Sequence, residues 1–281
     1  ARAHAYVFFP GPADRPRYRA LPADVRNELV GYNAEWYRRA RAAHLRGVRS
    51  ILGYASDAQA ARWGVSGADW RRSLVSGAVD VDLPALAKTA KSIATRLQKG
   101  TTLRIVAPNG TDVRLTLRHR KALVDDGVVT ADDIAAGRNM TVSPPGAVGV
   151  AVDERATEGV AIANRASYLP IGKVDGGEWE IAHGRLTQSR ATDGQHEFDA
   201  AFAAAPKGRD VVSIFSIGLN PHLGPGIPQV EDQEAGAVTL GIGGNIEYGG
   251  TNHCPFVAWI VIGEATVAVD GKPVCDRGQL L

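Results

Sequence analysis

Two glycine-rich loops in the C-terminal third contain most of the side chains that could move a proton near neutral pH. Nine glycines fall between positions 218 and 250, and His222 and His253 lie in or beside these loops. An unperturbed imidazole has a pKa of about 6.5, which suits general acid–base catalysis. We predict that one histidine is the general acid/base, while Tyr248 or Cys254 orients the substrate or supplies a nucleophile. The competing interpretation is that each imidazole only ties its loop to the backbone through hydrogen bonds.

Further polar side chains in and near these loops form a predicted substrate-binding group, because functional residues concentrate on loops. The group consists of Glu247, Asn220, Asn252, Thr239 and His196. Cys254 follows His253, but neighbouring side chains of an extended segment point to opposite faces. A partner for the thiol would therefore come from His222 or His196. The alternative is that Cys254 is buried and inert.

The chain lacks the patterns of common cofactor and metal sites. None of the seven histidines pairs with another at metal-ligand spacing, and two cysteines provide neither a disulfide framework nor a zinc pattern. The glycine-rich run from Leu240 to Asn245 departs from a dinucleotide-binding motif, because Ile246 stands where the third glycine should be. P-loop, HExxH and GxSxG patterns are missing as well. We therefore predict no cofactor.

Composition and charge narrow the class of protein. The chain has 281 residues, 44% of them hydrophobic, with no apolar run near the roughly 18 residues of a membrane span. The opening segment is too short for a secretory signal, so we expect a cytoplasmic protein without a membrane partner. Residues 1–121 carry 22 Lys and Arg against 9 Asp and Glu, and residues 122–281 carry 10 against 21. We favour two oppositely charged domains or protomers over a nucleic-acid face, since the basic half lacks an RNA-binding signature and a zinc finger.

The pattern of elements changes near residue 100. Residues 23–46 have helical apolar spacing, and a second helix is predicted from the N-cap Asp82 to the stop at Gly100. Short strands and turns follow, beginning with a hairpin around Pro108-Asn109-Gly110. We predict an α/β (α+β) protein with a mainly helical domain over 1–100 and a β-rich domain over 101–281. Its core strands should be Val211–Ile217, Val238–Ile242 and Phe256–Ile262, which are nearly continuous apolar runs.

Several short motifs occur in the same order as in one known enzyme family. Pro144-Pro145-Gly146-Ala147-Val148 is similar to the family's Pro-Thr-Gly-Glu-Val, and Ile214 to Pro221 is similar to Glu-Phe-Gly-Ile-Gly-Thr-Asn-Pro. The other matching segments are Lys99–Leu103 with Gly110–Val113, Gly236–Thr239, Gly249–Cys254, and Val269–Lys272 with Gly278. Taken together, these segments resemble the aminopeptidase T / aminopeptidase S family of metalloaminopeptidases. Iron-dependent dihydroxypyridine dioxygenases look like more distant relatives. The resemblance implies a β-rich catalytic domain and a homodimer.

The family binds a two-metal centre through Glu, Glu, His, His and Asp, and this chain departs from that ligand set at every position. The corresponding places hold Ala147, Ile214, Thr239, Val257 and Trp259. A divalent ion needs carboxylate or imidazole donors, so we predict that the inherited metal site is absent.

Three functions remain open at this point. We favour a repurposed, metal-independent enzyme that acts on a peptide or a small amino-acid-like molecule. A biosynthetic pathway is one context in which such an enzyme would act. The second is a non-catalytic binding or scaffold protein. The third is a metallo-hydrolase with relocated ligands, built from His222, His253 and the group Glu231, Asp232 and Glu234.

Overall fold

A computed structural model of the chain describes residues 3–9, 17, 20–22, 25, 35–51, 56–62, 64–165, 167–169, 172–226 and 230–281. The chain forms two compact units, residues 1–80 with 127–145 and residues 81–126 with 146–281. This division differs from the single boundary predicted near residue 100. The helix from Leu83 to Lys99 lies in the second unit, whereas the segment 127–145 returns to the first.

The first unit is mixed α/β in its described part. Its three strands are β1 (Ala5–Phe8), β2 (Arg46–Ser50) and β6 (Met140–Ser143), which pair in parallel in the order β1-β2-β6. Its helices are α1 (Asp57–Arg62), α2 (Gly67–Val79) and α4 (Ala131–Ala135), and residues 35–42 are helical too. The mainly helical N-terminal domain is therefore not what the described residues show. Of the helix predicted over 23–46, residues 23, 24 and 26–34 lie outside the described part, and Arg46 begins a strand.

The second unit is built on two sheets. The eight-stranded sheet has the order β12-β11-β8-β4-β3-β16-β17-β18, and the five-stranded sheet has the order β15-β14-β13-β7-β5. The strands of the eight-stranded sheet are β3 (Thr102–Val106), β4 (Asp112–Thr116), β8 (Glu158–Ile162), β11 (Glu178–Ala182), β12 (Arg185–Arg190), β16 (Thr266–Val269), β17 (Lys272–Asp276) and β18 (Gln279–Leu280). Those of the five-stranded sheet are β5 (Leu123–Asp125), β7 (Ala147–Ala151), β13 (Val212–Gly218), β14 (Val238–Gly243) and β15 (Val257–Ile262). A separate hairpin pairs β9 (Ser167–Leu169) with β10 (Gly172–Val174).

One apolar core lies between these elements of the second unit. Helix α3 (Leu83–Lys99) begins at Asp82, whose carboxylate accepts from the Ala85 N–H at 3.0 Å, and it buries Leu86, Ile93 and Leu97. Helix α5 (Gln195–Ala204) contributes Phe198. The three predicted core strands are confirmed as β13, β14 and β15, whose residues are almost entirely buried. In the described part of the chain, no helix is long and apolar enough to cross a membrane.

Candidate functional site

One face of the five-stranded sheet carries all the positions that the sequence resemblance matched to metal ligands. Antiparallel partners point to the same side of a sheet, and positions alternate along each strand. Ala147 pairs with Gly218, Ser216 pairs with both Gly149 and Thr239, and Gly241 pairs with both Ile214 and Trp259. We call this the small-residue face, and its members on β7, β13, β14 and β15 are Ala147, Gly149, Ala151, Ile214, Ser216, Gly218, Thr239, Gly241, Gly243, Val257, Trp259 and Val261. The opposite face, with Phe215 and Leu240, packs into the core.

Two aromatic rings cover the middle of the small-residue face. A Cβ atom at Gly149 would collide with the Tyr248 ring, and one at Gly241 would lie 2.7 Å from Cζ3 of Trp259. The two rings meet edge to face, with centroids 6.0 Å apart. The glycines are thus required because aromatic side chains rest directly on the strand backbone.

A charged anchor holds the loop that carries Tyr248. Oε1 of Glu154 accepts hydrogen bonds from Arg120 at 2.9 Å, from Nδ2 of Asn245 at 3.0 Å and from the Thr251 N–H at 3.2 Å. Burial tends to raise the pKa of Glu154, but the hydrogen bonds from Arg120 and Asn245 outweigh it and lower the pKa to about 2. Tyr248 follows Asn245 in a short 3-10 helix, Ile246–Tyr248, so this anchor determines where the ring lies.

Polar atoms without a partner gather at the Gly218 end of the face. A 3-10 helix, Glu231–Gln233, lies directly on Gly218, where an added Cβ would be 2.9 Å from the Asp232 carbonyl oxygen. Oδ1 of Asp232, Oε1 of Gln233 and Oγ1 of Thr239 are buried, and none has a hydrogen-bond partner in the described structure. Buried polar groups are almost always paired, so unpaired ones mark a site that needs a functional explanation.

Burial also changes the acidity of this end of the face. It raises the pKa of Asp232 from 3.8 to about 6, opposed by the residue's own backbone N–H and assisted by the neighbouring Glu231. Burial likewise raises the pKa of Tyr248, with the carboxylates of Asp232, Glu247 and Asp125 adding to the effect. Asp232 can therefore exchange a proton near neutral pH, whereas Tyr248 stays a protonated phenol there.

The structure does not bring His222 and His253 together. His222 is exposed just beyond the Gly218 end of β13, and His253 is exposed near the opposite end, where Asn252 bonds to the Gly243 carbonyl. The seven residues of β13 separate these ends by roughly 20 Å. His196 is exposed on α5. The catalytic role of one histidine therefore stays a prediction, and the two histidines do not lie at one site.

Cys254 and the two asparagines have structural partners. Cys254 is buried, and its Sγ lies 3.8 Å from the Pro206 carbonyl oxygen. Nδ2 of Asn252 donates to the carbonyls of Gly208 and Gly243 at 2.8 and 2.7 Å. Oδ1 of the buried Asn220 accepts from the His222 N–H at 3.0 Å. Of the predicted site residues, Tyr248 and Thr239 lie on the small-residue face, while Glu247 is exposed beside Tyr248.

Two of the three acidic residues of the relocated-ligand hypothesis, Glu231 and Glu234, have other partners. Oε1 of Glu231 accepts from the Gly226 N–H at 2.7 Å, and Glu234 pairs with Arg165 at 3.1 Å. Where residues are described, no group of three or more His, Cys, Asp or Glu side chains could hold a metal ion. Asp232 is a functional candidate that the sequence alone indicates only as a metal ligand, not as a proton-exchanging group. The sequence feature that points to it is a cluster of acidic residues near a glycine-rich loop.

Two solved structures share this fold. Wild-type AmpT from Thermus thermophilus has a TM-score of 0.71 and 18% sequence identity, and the match covers 98% of this chain and 75% of that one. The 2,5-dihydroxypyridine dioxygenase from Pseudomonas putida KT2440 has a TM-score of 0.65 and 16% identity, over 90% of this chain and 76% of that one. No protein-family model and no curated protein sequence matches the chain. The chain therefore has an aminopeptidase-T-like fold, as the sequence motifs predicted.

The two-metal centre implied by the sequence resemblance does not fit the residues at its ligand positions. Ala147, Ile214 and Val257 have no side-chain donor atom for a metal, and Trp259 has only an N–H that donates hydrogen bonds. Trp259 and Tyr248 pack on the same face instead.

Replacing Gly149 by alanine should displace the Tyr248 ring, because the new Cβ would overlap it. We expect the free energy of unfolding to fall by about 1–3 kcal/mol, the usual cost of overpacking. Urea denaturation and near-UV circular dichroism measure the two effects. Gly224→Ala is the control, since no atom lies within 4 Å of its added Cβ. Equal behaviour of the two variants would show that the ring does not rest on Gly149.

Proposed function

We propose that this protein is a metal-independent enzyme that acts on a peptide or a small amino-acid-like molecule at the Gly218 end of the small-residue face. The observation that carries the proposal is the buried, unpartnered Oδ1 of Asp232. Desolvation raises the pKa of this carboxyl to about 6. A group with a pKa near the working pH is the most effective general acid or base.

The side chains on this face have separable roles in the proposed reaction. Asp232 removes a proton from the attacking group and returns it to the leaving group. Tyr248, whose burial raises its pKa, keeps its proton near neutral pH and donates a hydrogen bond to a substrate oxygen. Thr239, with its hydroxyl buried and unpartnered, positions the reacting group beside Asp232.

A non-catalytic binding protein is the second candidate function. The packing of Tyr248 on Gly149 and against Trp259 favours it, because rings that fill a former catalytic face can serve as a rigid platform for a ligand. Binding without turnover would distinguish this candidate from the enzyme.

A screen of aminoacyl 4-nitroanilides and dipeptides, run with and without EDTA, tests the enzyme. We expect turnover that EDTA leaves unchanged, and elemental analysis showing less than one zinc, cobalt or iron per chain. Asp232→Asn should lower kcat by about 10²- to 10⁴-fold, the usual contribution of a general acid/base. Asp199→Asn, on the exposed surface of α5, is the matched control.

Three outcomes would reject the enzyme as proposed. Turnover that requires a stoichiometric metal would replace it with a metallo-hydrolase. Full activity of Asp232→Asn would remove Asp232 from the mechanism, and His222→Ala and His253→Ala would then test the histidines. Binding of a panel member without any turnover would favour the binding protein.

A further inference from the structure

We propose that Arg165 is a positioning residue, which holds the stretch of chain around Asp232 against the small-residue face by pairing with Glu234. The inference deepens the proposed function and rests on it for the role of Asp232. Asp232 lies in the 3-10 helix Glu231–Gln233, and Glu234 is the next residue along the chain. Arg165 therefore acts on Asp232 through the backbone of this stretch.

The ion pair between Arg165 and Glu234 is bidentate and largely buried. Nε of Arg165 donates to Oε2 of Glu234 at 3.1 Å, and Nη2 donates to Oε1 at 3.3 Å. The two side chains are only 12% and 17% exposed. The planar fork of a guanidinium matches a carboxylate in a defined orientation, so a bidentate pair fixes direction as well as distance. The pair therefore determines where Glu234 lies relative to Arg165.

Arg165 is itself fixed at the Gly218 end of the sheet. Its guanidinium lies on Gly263, which follows β15, and an added Cβ there would be 2.5 Å from Cζ of Arg165. Asn164 brackets the same glycine, since its Oδ1 accepts from the Gly263 N–H at 2.5 Å and its Nδ2 donates to the Gly263 carbonyl at 3.1 Å. The last residue of β15 pairs with the first of β14, which pairs with the penultimate residue of β13. The guanidinium is thus anchored to the sheet on which Asp232 lies.

Backbone hydrogen bonds fasten the other side of this stretch. The Asn220 N–H donates to the Gln233 carbonyl at 2.9 Å, and the Ala235 N–H donates to the Asn220 carbonyl at 3.0 Å. These bonds hold the chain beside the end of β13, whereas Arg165 holds it from the end of β15. Asp232 is therefore placed between two supports, and the ion pair is the one that side-chain substitution can remove.

Charge explains why removal of Arg165 should move Asp232. The hydrogen bond with Glu234 raises the pKa of Arg165 above its usual range despite burial, and the charges of Glu234, Glu231 and Glu264 add to the effect. Without the guanidinium, Glu234 would be a largely buried carboxylate that has lost its cation, which is a costly state. The stretch can relieve that cost by moving towards water, and the movement would expose Asp232 as well.

Nuclear magnetic resonance of the full chain with ¹³C-labelled aspartate tests the positioning role, with Asp232→Asn to assign the carboxyl resonance. We expect the pKa of Asp232 to fall from about 6 in wild type towards 3.8 in Arg165→Gln, because exposure removes the desolvation that raises it. The acid limb of the kcat profile should move in the same direction. At its optimum pH, Arg165→Gln should lower kcat by about 10- to 100-fold, the effect of a displacement of about 1 Å.

Three further variants separate positioning from a general loss of charge. Arg190→Gln is the matched control, since it removes an exposed ion pair with Glu178 at 2.8 Å and should leave the pKa of Asp232 unchanged. The double variant Arg165→Gln/Glu234→Gln has no buried charge to hydrate, so it should return the pKa of Asp232 to about 6. Arg165→Lys keeps the charge without the fork, so it should lower the pKa less than Arg165→Gln and serves as the test if that variant does not fold.

Two results for a folded Arg165 variant would overturn the inference. An unchanged pKa of Asp232 would show that the backbone bonds alone hold the stretch. A raised pKa would show that Arg165 acts only as a nearby positive charge, because loss of a cation favours the protonated carboxyl.

Failure of this inference is distinguishable from failure of the proposed function. A lowered pKa of Asp232 in Arg165→Gln, with no turnover of any aminoacyl 4-nitroanilide or dipeptide by wild type, would support the positioning role and reject the enzyme. Turnover that depends on Asp232, with kcat and the pKa of Asp232 unchanged in Arg165→Gln, would support the enzyme and reject the positioning role.

Discussion

Replacing Glu154 by glutamine is expected to lower the free energy of unfolding by about 3 kcal/mol at pH 7, because it breaks a largely buried ion pair. The Glu154 and Arg120 side chains are only 18% and 19% exposed, and they meet in two hydrogen bonds of 2.8 and 2.9 Å. The variant leaves the guanidinium of Arg120 without its charged partner and weakens the contacts to Asn245 and Thr251. Urea denaturation measures the loss, and near-UV circular dichroism reports whether Tyr248 moves.

The effect of Glu154→Gln should depend on pH in a defined direction. The folded protein lowers the pKa of Glu154 from 4.5 to about 2, so the folded state favours the ionised form. The stabilisation is complete above pH 4.5 and is lost as the pH falls towards 2. The gap between wild type and variant should therefore narrow over that range.

Glu180→Gln is the control for Glu154→Gln. Glu180 pairs with Arg190 at 3.0 Å, but the two side chains are 40% and 57% exposed. An exposed pair of this kind contributes at most about 1 kcal/mol. If Glu154→Gln costs no more than Glu180→Gln, then Glu154 does not anchor the Tyr248 loop.

Replacing Asp232 by asparagine is expected to raise the free energy of unfolding, which is the opposite of the effect expected for Glu154→Gln. The folded state raises the pKa of Asp232 from 3.8 to about 6, so it disfavours ionisation of this carboxyl. Each pKa unit corresponds to about 1.4 kcal/mol, which sets an upper bound of about 3 kcal/mol for the gain. The gain should be fully present above pH 6 and should vanish as the pH falls below 3.8, where aspartate is protonated in both states.

Urea unfolding of wild type and Asp232→Asn between pH 4 and 8 measures this difference. A more stable variant that also loses turnover of the aminoacyl 4-nitroanilides and dipeptides would show that Asp232 is retained for function at a cost in stability. A destabilised variant, or one with the same pH dependence as wild type, would contradict the burial of this carboxyl and the unpartnered state of its Oδ1.

The sequence by itself determined the helices and strands that are encoded within short segments of the chain. Helix α3 was predictable because Asp82 caps it, Pro84 fits its first turn and Gly100 ends it. The strands β13, β14 and β15 were predictable because near-continuous apolar runs of this length suit strands buried on both faces. The motifs around Pro144 and Ile214 also identified the aminopeptidase-T-like fold that the solved structures show.

Only the tertiary structure decided how the chain divides and which side chains meet. The segment 127–145 joins the first unit because β6 pairs with β2, which is a contact between residues more than 90 positions apart. No local pattern encodes such a pairing. For the same reason the sequence does not show that the Asp232 backbone lies on the sheet at Gly218. His222 and His253 are both loop histidines, but β14 lies between them in the chain and runs from the Gly218 end of the sheet to the opposite end.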